Sequence, residues 1–122
     1  MDGALYDLHR QSGMACVPYT SQAKGFFAKL AQGGEAALSD KARERYLTAD
    51  NLRLMDRIRE IGRDSGLSAG AVSLAYLTSQ PFQTIPIVGL SRLSQMADMR
   101  QAADARLAPE QLKALLEGAR LA

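Results

Sequence analysis

The sequence predicts an α/β fold that is rich in helix and contains about two parallel strands. Two short apolar segments, residues 14–18 and 84–88, have the composition of buried strands and are bounded by turn residues. The predicted order is a helix, the first strand, an irregular region, two helices, the second strand and two further helices. Strands that alternate with helices along a chain pair in parallel in most folds of this class. Because two strands make only a small part of a covered parallel sheet, we expect residues 1–122 to form a single, partial domain.

The N-terminal third predicts one helix, the first strand and a long loop. Residues 2–11 have the pattern of a short amphipathic helix, with Leu5 and Leu8 on one side. The strand at residues 14–18 follows. Several glycines interrupt residues 20–40, so this stretch is predicted to be a long loop that holds a helical turn or two.

The middle of the chain predicts two helices in succession. Asp50 is a candidate N-cap for the first, and Ser68 for the second. Residues 72–77 are apolar on most faces, which predicts that the second helix is buried. The first helix carries one apolar residue every three positions, at Leu52, Met55, Ile58 and Ile61.

The C-terminal third predicts the second strand and two more helices. Residues 84–88 are mostly apolar and β-branched, as in a parallel strand that is buried on both faces, although Pro86 argues against a central position in a sheet. Ser91 is the candidate N-cap of a helix over residues 92–103. Pro109 suits the first position of a final helix, whose core-facing residues are Leu112, Leu115 and Leu116.

Composition excludes several classes of protein. The net charge of the 122 residues is only +2, which does not favour nucleic acid or an anionic membrane as a partner. A single cysteine, Cys16, and a single histidine, His9, do not predict a disulfide or a zinc site. Residues 1–4 lack the basic and apolar regions of a signal peptide, and no apolar run is long enough to span a bilayer, so we expect a cytoplasmic protein.

The turn after the second predicted strand is the first candidate site. A strand, a glycine turn and a capped helix leave backbone N–H groups and the positive end of the helix dipole for an anion. Gly89 permits close approach of a ligand, Arg92 has a guanidinium that matches phosphate oxygens, and Ser91 and Gln95 add neutral donors. Most turns of this kind only cap a helix, and the local pattern alone leaves that alternative open.

The turn after the first predicted strand is the second candidate site. Tyr19 stands at the end of the strand, followed by Thr20, Gln22 and Lys24. Ligands bind at the carboxyl ends of parallel strands, and a tyrosine there can stack on a flat ring. In the alternative, Tyr19 covers the core and Lys24 is a solvated charge.

A different function class is also compatible with part of the pattern. Residues 51–79 can be interpreted as a helix-turn-helix, with Gly66 in the turn and residues 68–79 as the recognition helix. The first turn of that helix, however, carries no Arg, Lys, Asn or Gln to bind base edges.

Four segments, in order, resemble the C-terminal portion of the aldo-keto reductase family. Residues 14–27, MACVPYTSQAKGFF, resemble its seventh-strand segment, and residues 65–80 resemble the stretch before its eighth strand. Residues 85–95, IPIVGLSRLSQ, resemble the eighth strand and the phosphate-binding turn, and residues 107–112 resemble the closing helix. Each motif alone is weak, but four in family order and spacing are fairly specific.

The resemblance implies the last part of a (β/α)8 TIM barrel that reduces aldehydes and ketones with NADPH. It implies that Tyr19 stacks on the nicotinamide ring and that Thr20, Gln22 and Lys24 follow the pyrophosphate. The 2′-phosphate and adenine side would be held by the next loop and helix start, at Gly89, Leu90, Ser91, Arg92 and Gln95. NADP is therefore the expected cofactor, and this agrees with the phosphate site that barrels form after strands seven and eight.

The chain departs from the family in ways that affect function. Residues 20–22 read Thr-Ser-Gln where the family often has Ser-Pro-Leu, and Asp98 and Met99 stand where it often has Glu-Asn near the adenine. No segment resembles the family's Asp, Tyr, Lys and His tetrad, so we expect no catalysis by this chain alone. We also expect the incomplete fold to associate with itself or with a missing N-terminal half.

Overall fold

The computed structural model describes residues 3–120, with side chains as far as residue 118. Seven α-helices account for most of this part of the chain, and short 3₁₀ turns cover Ala23–Gly25, Gly34–Ala37 and Leu93–Gln95. The helices are α1 (Gly3–Ser12), α2 (Phe26–Gly33), α3 (Asp40–Tyr46), α4 (Ala49–Ser65), α5 (Ala69–Thr78), α6 (Met96–Asp104) and α7 (Pro109–Arg120). Residue 2, where the first predicted helix begins, lies outside the described residues.

The two segments predicted as strands lie side by side and run in parallel. Their pairing is centred on a bridge between Cys16 and Thr84. The Cys16 N–H donates to the carbonyl of Gln83 at 2.8 Å, and the Ile85 N–H donates to the carbonyl of Cys16 at 2.8 Å. The parallel arrangement expected from the order of elements is therefore observed.

The predicted extent of the strands is wrong, because residues 3–120 contain only this isolated bridge. One more bond continues the register, from the Ile87 N–H to the Pro18 carbonyl at 3.1 Å. Pro18 has no N–H to donate back to Ile85, which removes half of the next pair and ends the ladder. Of the expected (β/α)8 sheet, residues 3–120 contain one parallel contact, which helices cover on one side.

The prediction that the second segment is buried on both faces is wrong. Thr84, Pro86 and Val88 are half-buried, and Val88 packs on the interface between α5 and α6. In contrast, Ile85 and Ile87 are about half exposed, at 51% and 50%. No described element covers their side of the paired segments, so one face of an apolar strand pattern remains open to solvent.

The buried apolar side chains lie between the helices and form separate clusters. Met55, Ile58 and Ile61 of α4 are buried, as the stripe predicts, whereas Leu52 stays 39% exposed. The cluster around α4, α5 and α7 contains Ile58, Ile61, Val72, Ala75, Leu107 and Leu115. The cluster around α2, α3 and α4 contains Phe26, Leu30, Leu38, Ala42 and Met55.

The prediction of a loop with a helical turn or two over residues 20–40 is right in part: α2 makes about two turns, but 3₁₀ turns flank it on both sides, so most of the stretch is helical. The glycines lie at helix ends: Gly25 (φ 76°) precedes α2 and Gly34 (φ 63°) follows it. Left-handed backbone of this kind is easily adopted by glycine. Phe26 and Leu30, one helical turn apart, anchor α2 in the core.

Two of the three predicted N-caps are wrong. Ser68 caps α5, with its hydroxyl oxygen accepting the Ala71 N–H at 3.1 Å. Thr48, not Asp50, caps α4, and Asp50 instead forms an ion pair with Arg53 in the first turn. Ser91 does not cap α6, because a 3₁₀ turn precedes that helix and the Gln95 side chain takes the capping role.

Helix α6 docks on the N-terminal end of α5 through polar contacts. The Ser68 hydroxyl donates to Asp98 Oδ1 at 2.5 Å, and the Ser68 N–H donates to Gln101 Oε1 at 3.0 Å. A Cβ at Gly70 would lie 2.8 Å from Asp98 Cγ, so only glycine admits the carboxylate this close to the helix. Such a carboxylate is favourable at the positive end of a helix dipole. The two hydrogen bonds from Ser68 fix the position of α6 and therefore also that of the turn that leads into α6.

Helix α1 contacts Phe82 through two of its aromatic side chains. The rings of Tyr6 and His9 contact Phe82, with centroid separations of 5.3 and 5.4 Å. His9 Nδ1 lies 2.9 Å from the Met14 carbonyl oxygen. These contacts give the single histidine a structural role. Among the described residues, no helix is both long and apolar enough to cross a membrane.

Candidate functional site

A cleft of about 680 Å³ lies between the loop after the first paired segment and the turn after the second. It falls in the usual size range of small-molecule sites. All nine residues that the sequence analysis named are brought together around it: Tyr19, Thr20, Gln22, Lys24, Gly89, Leu90, Ser91, Arg92 and Gln95. Residues outside that set of nine also line it: Ser21, Gly25, Lys29, Ile87 and Val88.

The parallel pairing explains why these two turns meet. Because the segments run the same way and Cys16 lies opposite Thr84, their carboxyl ends emerge at the same edge. Beyond Pro18, where the backbone ladder ends, the Ser21 hydroxyl donates to the Ile87 carbonyl at 2.7 Å. This side-chain bond ties the first loop to the second segment directly beside the cleft.

The loop over residues 20–25 has an unusual backbone. Thr20, Ala23 and Lys24 have φ values of 55°, 46° and 58°, and they are the non-glycine residues with positive φ in the described chain. Each such conformation costs about 1–3 kcal/mol, and a β-branched threonine is especially disfavoured there. Two local bonds hold the loop: the Ala23 N–H to the Thr20 carbonyl and the Gly25 N–H to the Gln22 carbonyl. Strain concentrated in this way is typical of ligand-binding loops.

The charged side chains that line the cleft are all cations. They are Lys24, Lys29 and Arg92. The Lys29 ammonium donates to the Lys24 carbonyl oxygen at 3.1 Å, which places two lysines at the same loop. Arg92 is exposed and forms no ion pair with any residue between 3 and 118. A cleft with this charge pattern favours an anionic ligand.

The Gln95 side chain accepts hydrogen bonds from the turn that follows the second paired segment. Its Oε1 accepts from the Ser91 N–H at 2.8 Å and from the Arg92 N–H at 3.1 Å. The Ser91 hydroxyl lies 3.4 Å from the same oxygen. Two backbone N–H groups and one hydroxyl therefore converge on the Gln95 Oε1 atom.

Tyr19 does not pack against the core, so the alternative in which it covers the core is not observed. Its side chain is 84% exposed and lies at the cleft. A ring this exposed contributes little to the hydrophobic core, and it is accessible for stacking on a flat ligand.

Asp98, which occupies a position near the adenine in the family pattern, does not line the cleft. Its carboxylate is engaged with Ser68 at the start of α5. The same packing disfavours the helix-turn-helix hypothesis. The first turn of α5 is covered, with Gly70 and Ala71 buried, so α6 blocks its access to a DNA groove.

Lys29 is the functional candidate that sequence reasoning missed. The sequence does not single it out, because the glycines within residues 20–40 predict a loop there. The spacing of Phe26 and Leu30 is the signal that could have identified α2, and Lys29 then falls in its first turns, next to the loop that precedes it. No group of three or more potential metal ligands occurs among the described residues.

Comparisons with known proteins agree with this geometry. The sequence model of the aldo/keto reductase family matches residues 3–118. The chain is also 27% identical over 113 residues to versiconal hemiacetal acetate reductase of Aspergillus parasiticus. That alignment covers 87% of this chain and 32% of the relative, so the chain spans about a third of the length of the reductase it matches. On the extent of the family match, this chain belongs to the aldo/keto reductase family.

Proposed function

We propose that the cleft binds a phosphorylated nicotinamide dinucleotide, NADP, and that this chain is the cofactor-binding C-terminal portion of an aldo-keto reductase. The observation that carries the proposal is the convergence of three cations, Lys24, Lys29 and Arg92, and an exposed tyrosine on one cleft. The family uses nicotinamide cofactors, and the donor set fits one that bears several phosphates.

The parts of the cleft correspond to the parts of the cofactor. The exposed Tyr19 ring offers a stacking surface for the nicotinamide. Lys24 in the strained loop and Lys29 on α2 suit the pyrophosphate. Arg92 and the Ser91 turn suit the 2′-phosphate, since a guanidinium binds phosphate oxygens in a bidentate manner. Gly89 leaves room for close approach, because nothing lies within 4 Å of where its Cβ would be.

We propose further that this chain does not reduce a carbonyl by itself. The nicotinamide would supply the hydride, but a positioned acid must protonate the carbonyl oxygen. Among the residues that line the cleft there is no histidine or carboxylate to assist the Tyr19 hydroxyl. His9 contacts Phe82 and the Met14 carbonyl instead.

Titration with NADPH and NADH tests the cofactor proposal. We expect wild-type chain to bind NADPH more tightly than NADH in calorimetry, because only NADPH carries the 2′-phosphate. Arg92→Ala should weaken NADPH binding about 10- to 100-fold, the equivalent of the roughly 1.5–3 kcal/mol of a hydrogen bond to a charged group. NADH binding should hardly change.

Arg100→Ala is the matched control for Arg92→Ala. Arg100 is an exposed arginine of α6 that does not line the cleft, so its removal should leave both affinities unchanged. Equal binding of NADPH and NADH by the wild-type chain, or equal losses in the two variants, would contradict the proposed role of Arg92. Absence of nucleotide binding would overturn the function itself.

We also propose that the open face of the paired segments associates with another polypeptide, and in purified protein the partner is a second copy. Val17, Ile85 and Ile87 are each about half exposed on this face. The peptide groups of Ala15 and Val17 form no hydrogen bonds within residues 3–120, so the outer edge of the first segment is free to pair.

Size-exclusion chromatography with light scattering tests the association. Wild-type chain should elute as a dimer or larger species at micromolar concentration, and Ile85→Lys should shift it towards the monomer because a charge interrupts the apolar face. Leu93→Lys removes an apolar side chain that is 86% exposed elsewhere and should have no effect. A wild-type monomer at this concentration would refute the proposal.

A further inference from the structure

A second pocket, of about 200 Å³, lies between the helices. Its walls come from α2, α4, α5, α7 and the loop that precedes α2. The larger side chains that line it are mostly apolar, and they include Phe27, Leu54, Ile58, Tyr76, Leu77 and Leu115. None of the lining residues between positions 3 and 118 is charged. Because a charged group is costly to bury without a partner, this pocket favours an uncharged ligand, unlike the cleft with its cations.

Helix packing holds the walls of this pocket in place. Ile58 and Leu115 belong to the core and are only 3% and 4% exposed. Gly118 lets α7 approach α4 closely, because a Cβ at this position would lie 3.7 Å from Leu54 Cδ1. The Phe27 ring is positioned by an edge contact with the buried Phe26. The pocket is therefore formed by packed helices before any ligand arrives.

The size and the lining of the pocket indicate a small aromatic ligand. Its volume is below the roughly 300–1,000 Å³ of sites for drug-sized molecules. It nevertheless exceeds the roughly 150 Å³ at which an apolar cavity in a protein stays dry and binds benzene. Phe27 and Tyr76 offer two aromatic rings, which favour offset or edge contacts with a third ring.

We propose that this pocket is a binding site for an uncharged, single-ring aromatic molecule, separate from the nucleotide cleft. The proposal does not depend on the cofactor, since Lys24, Lys29 and Arg92 line the cleft and not this pocket. Ser21 and Gln22 line both, so the loop over residues 20–25 is a wall that the two sites share.

Titration with toluene, followed by methyl NMR and calorimetry, tests the site. We expect saturable binding with a Kd of about 0.1–1 mM and shifts of the Ile58 and Leu115 methyl signals. Methylcyclohexane has the same number of carbon atoms but no aromatic ring. It should bind about 2- to 10-fold more weakly, because it lacks the aromatic contacts with Phe27 and Tyr76.

Ser73 offers a matched pair of variants. Its side chain lines the pocket, and its hydroxyl donates only to the Ala69 carbonyl of its own helix, at 2.8 Å. Ser73→Leu fills the pocket and should weaken toluene binding at least about 10-fold, whereas Ser73→Ala removes the hydroxyl without filling it and should keep the affinity. Circular dichroism verifies that both variants fold.

Leu54→Ala provides a second variant that does not depend on the folding of Ser73→Leu. Leu54 is half-buried at the pocket, so its truncation enlarges the site. This variant should bind naphthalene at least about 3-fold more tightly than the wild-type chain does, because a second ring now finds room and is removed from water.

The outcomes separate this inference from the proposed function. Absence of saturable toluene binding, or equal affinities of Ser73→Leu and Ser73→Ala, would overturn it. Shifts at Ile85 in place of Ile58 would overturn it too, because the ring would then adsorb to the open face of the paired segments. If Ser73→Leu turns a dimer into a monomer in size-exclusion chromatography, a second copy covers the pocket and the small-molecule site is refuted. Ser73→Leu should leave NADPH affinity unchanged, so loss of NADPH binding tests the cleft independently.

Discussion

Phe26→Ala is expected to lower the free energy of unfolding by about 3–5 kcal/mol. Phe26 is 1% exposed and lies in the cluster that joins α2, α3 and α4. Its ring also contacts Phe27 and Tyr46, with centroids 5.0 and 5.8 Å away. Because small domains are stable by only about 5–15 kcal/mol, a cavity of this size removes much of the total. Urea unfolding followed by circular dichroism measures the change.

Phe82→Ala is the control for Phe26→Ala, because it removes the same atoms from a half-buried ring. Phe82 contacts Tyr6 and His9 of α1, so its loss should release that helix and cost no more than about 1–2 kcal/mol. Comparable losses in the two variants would show that the cluster around Phe26 is not a principal source of stability.

Since α2 carries Lys29 to the cleft, Phe26→Ala should also weaken NADPH binding.

Val72→Asp is expected to abolish the cooperative unfolding transition at neutral pH. Val72 is completely buried between Ile58, Ile61 and Leu115, and no cation lies in that cluster. A buried, unpaired carboxylate costs more than about 4 kcal/mol, which places it among the most disruptive substitutions. Circular dichroism and urea titration should show loss of the native baseline.

The pH dependence of Val72→Asp provides its internal check. Burial raises the pKa of the introduced carboxyl above its unfolded value, so the destabilisation should be smallest at acidic pH and grow as the pH rises. Val72→Thr keeps nearly the same shape, and its hydroxyl can bond to the Ser68 carbonyl one turn earlier, so it should cost much less. Equal stability of the two variants would mean that position 72 is accessible to water when folded.

The sequence predicts the fold best where a periodic pattern coincides with burial. The stripe that includes Met55, Ile58 and Ile61 identifies α4, and Ser68 identifies the start of α5, because both signals are local. The pattern fails at residues 20–40, where glycines that end helices resemble glycines that interrupt them. Burial of Ile85 and Ile87 could not be predicted correctly, because it depends on neighbours that lie outside their own segment.

In the candidate site, too, the sequence predicts features that depend on neighbouring residues but not contacts that depend on distant ones. The residue types on each turn indicate an anion and an aromatic stack, and the geometry places both turns on one cleft. The Gln95 contact could not be predicted, because a capping glutamine and a ligand-binding glutamine have the same sequence pattern. Nor could the engagement of Asp98 with Ser68, which joins positions 30 residues apart.

The bond between Ser21 and Ile87 closes a loop of chain between positions 66 residues apart. Helices α2, α3, α4 and α5 lie entirely within that loop. Closing so long a stretch is entropically costly and slow compared with forming the individual helices. Helical content should therefore recover early during refolding, and the ability to bind nucleotide should return only in a later kinetic phase.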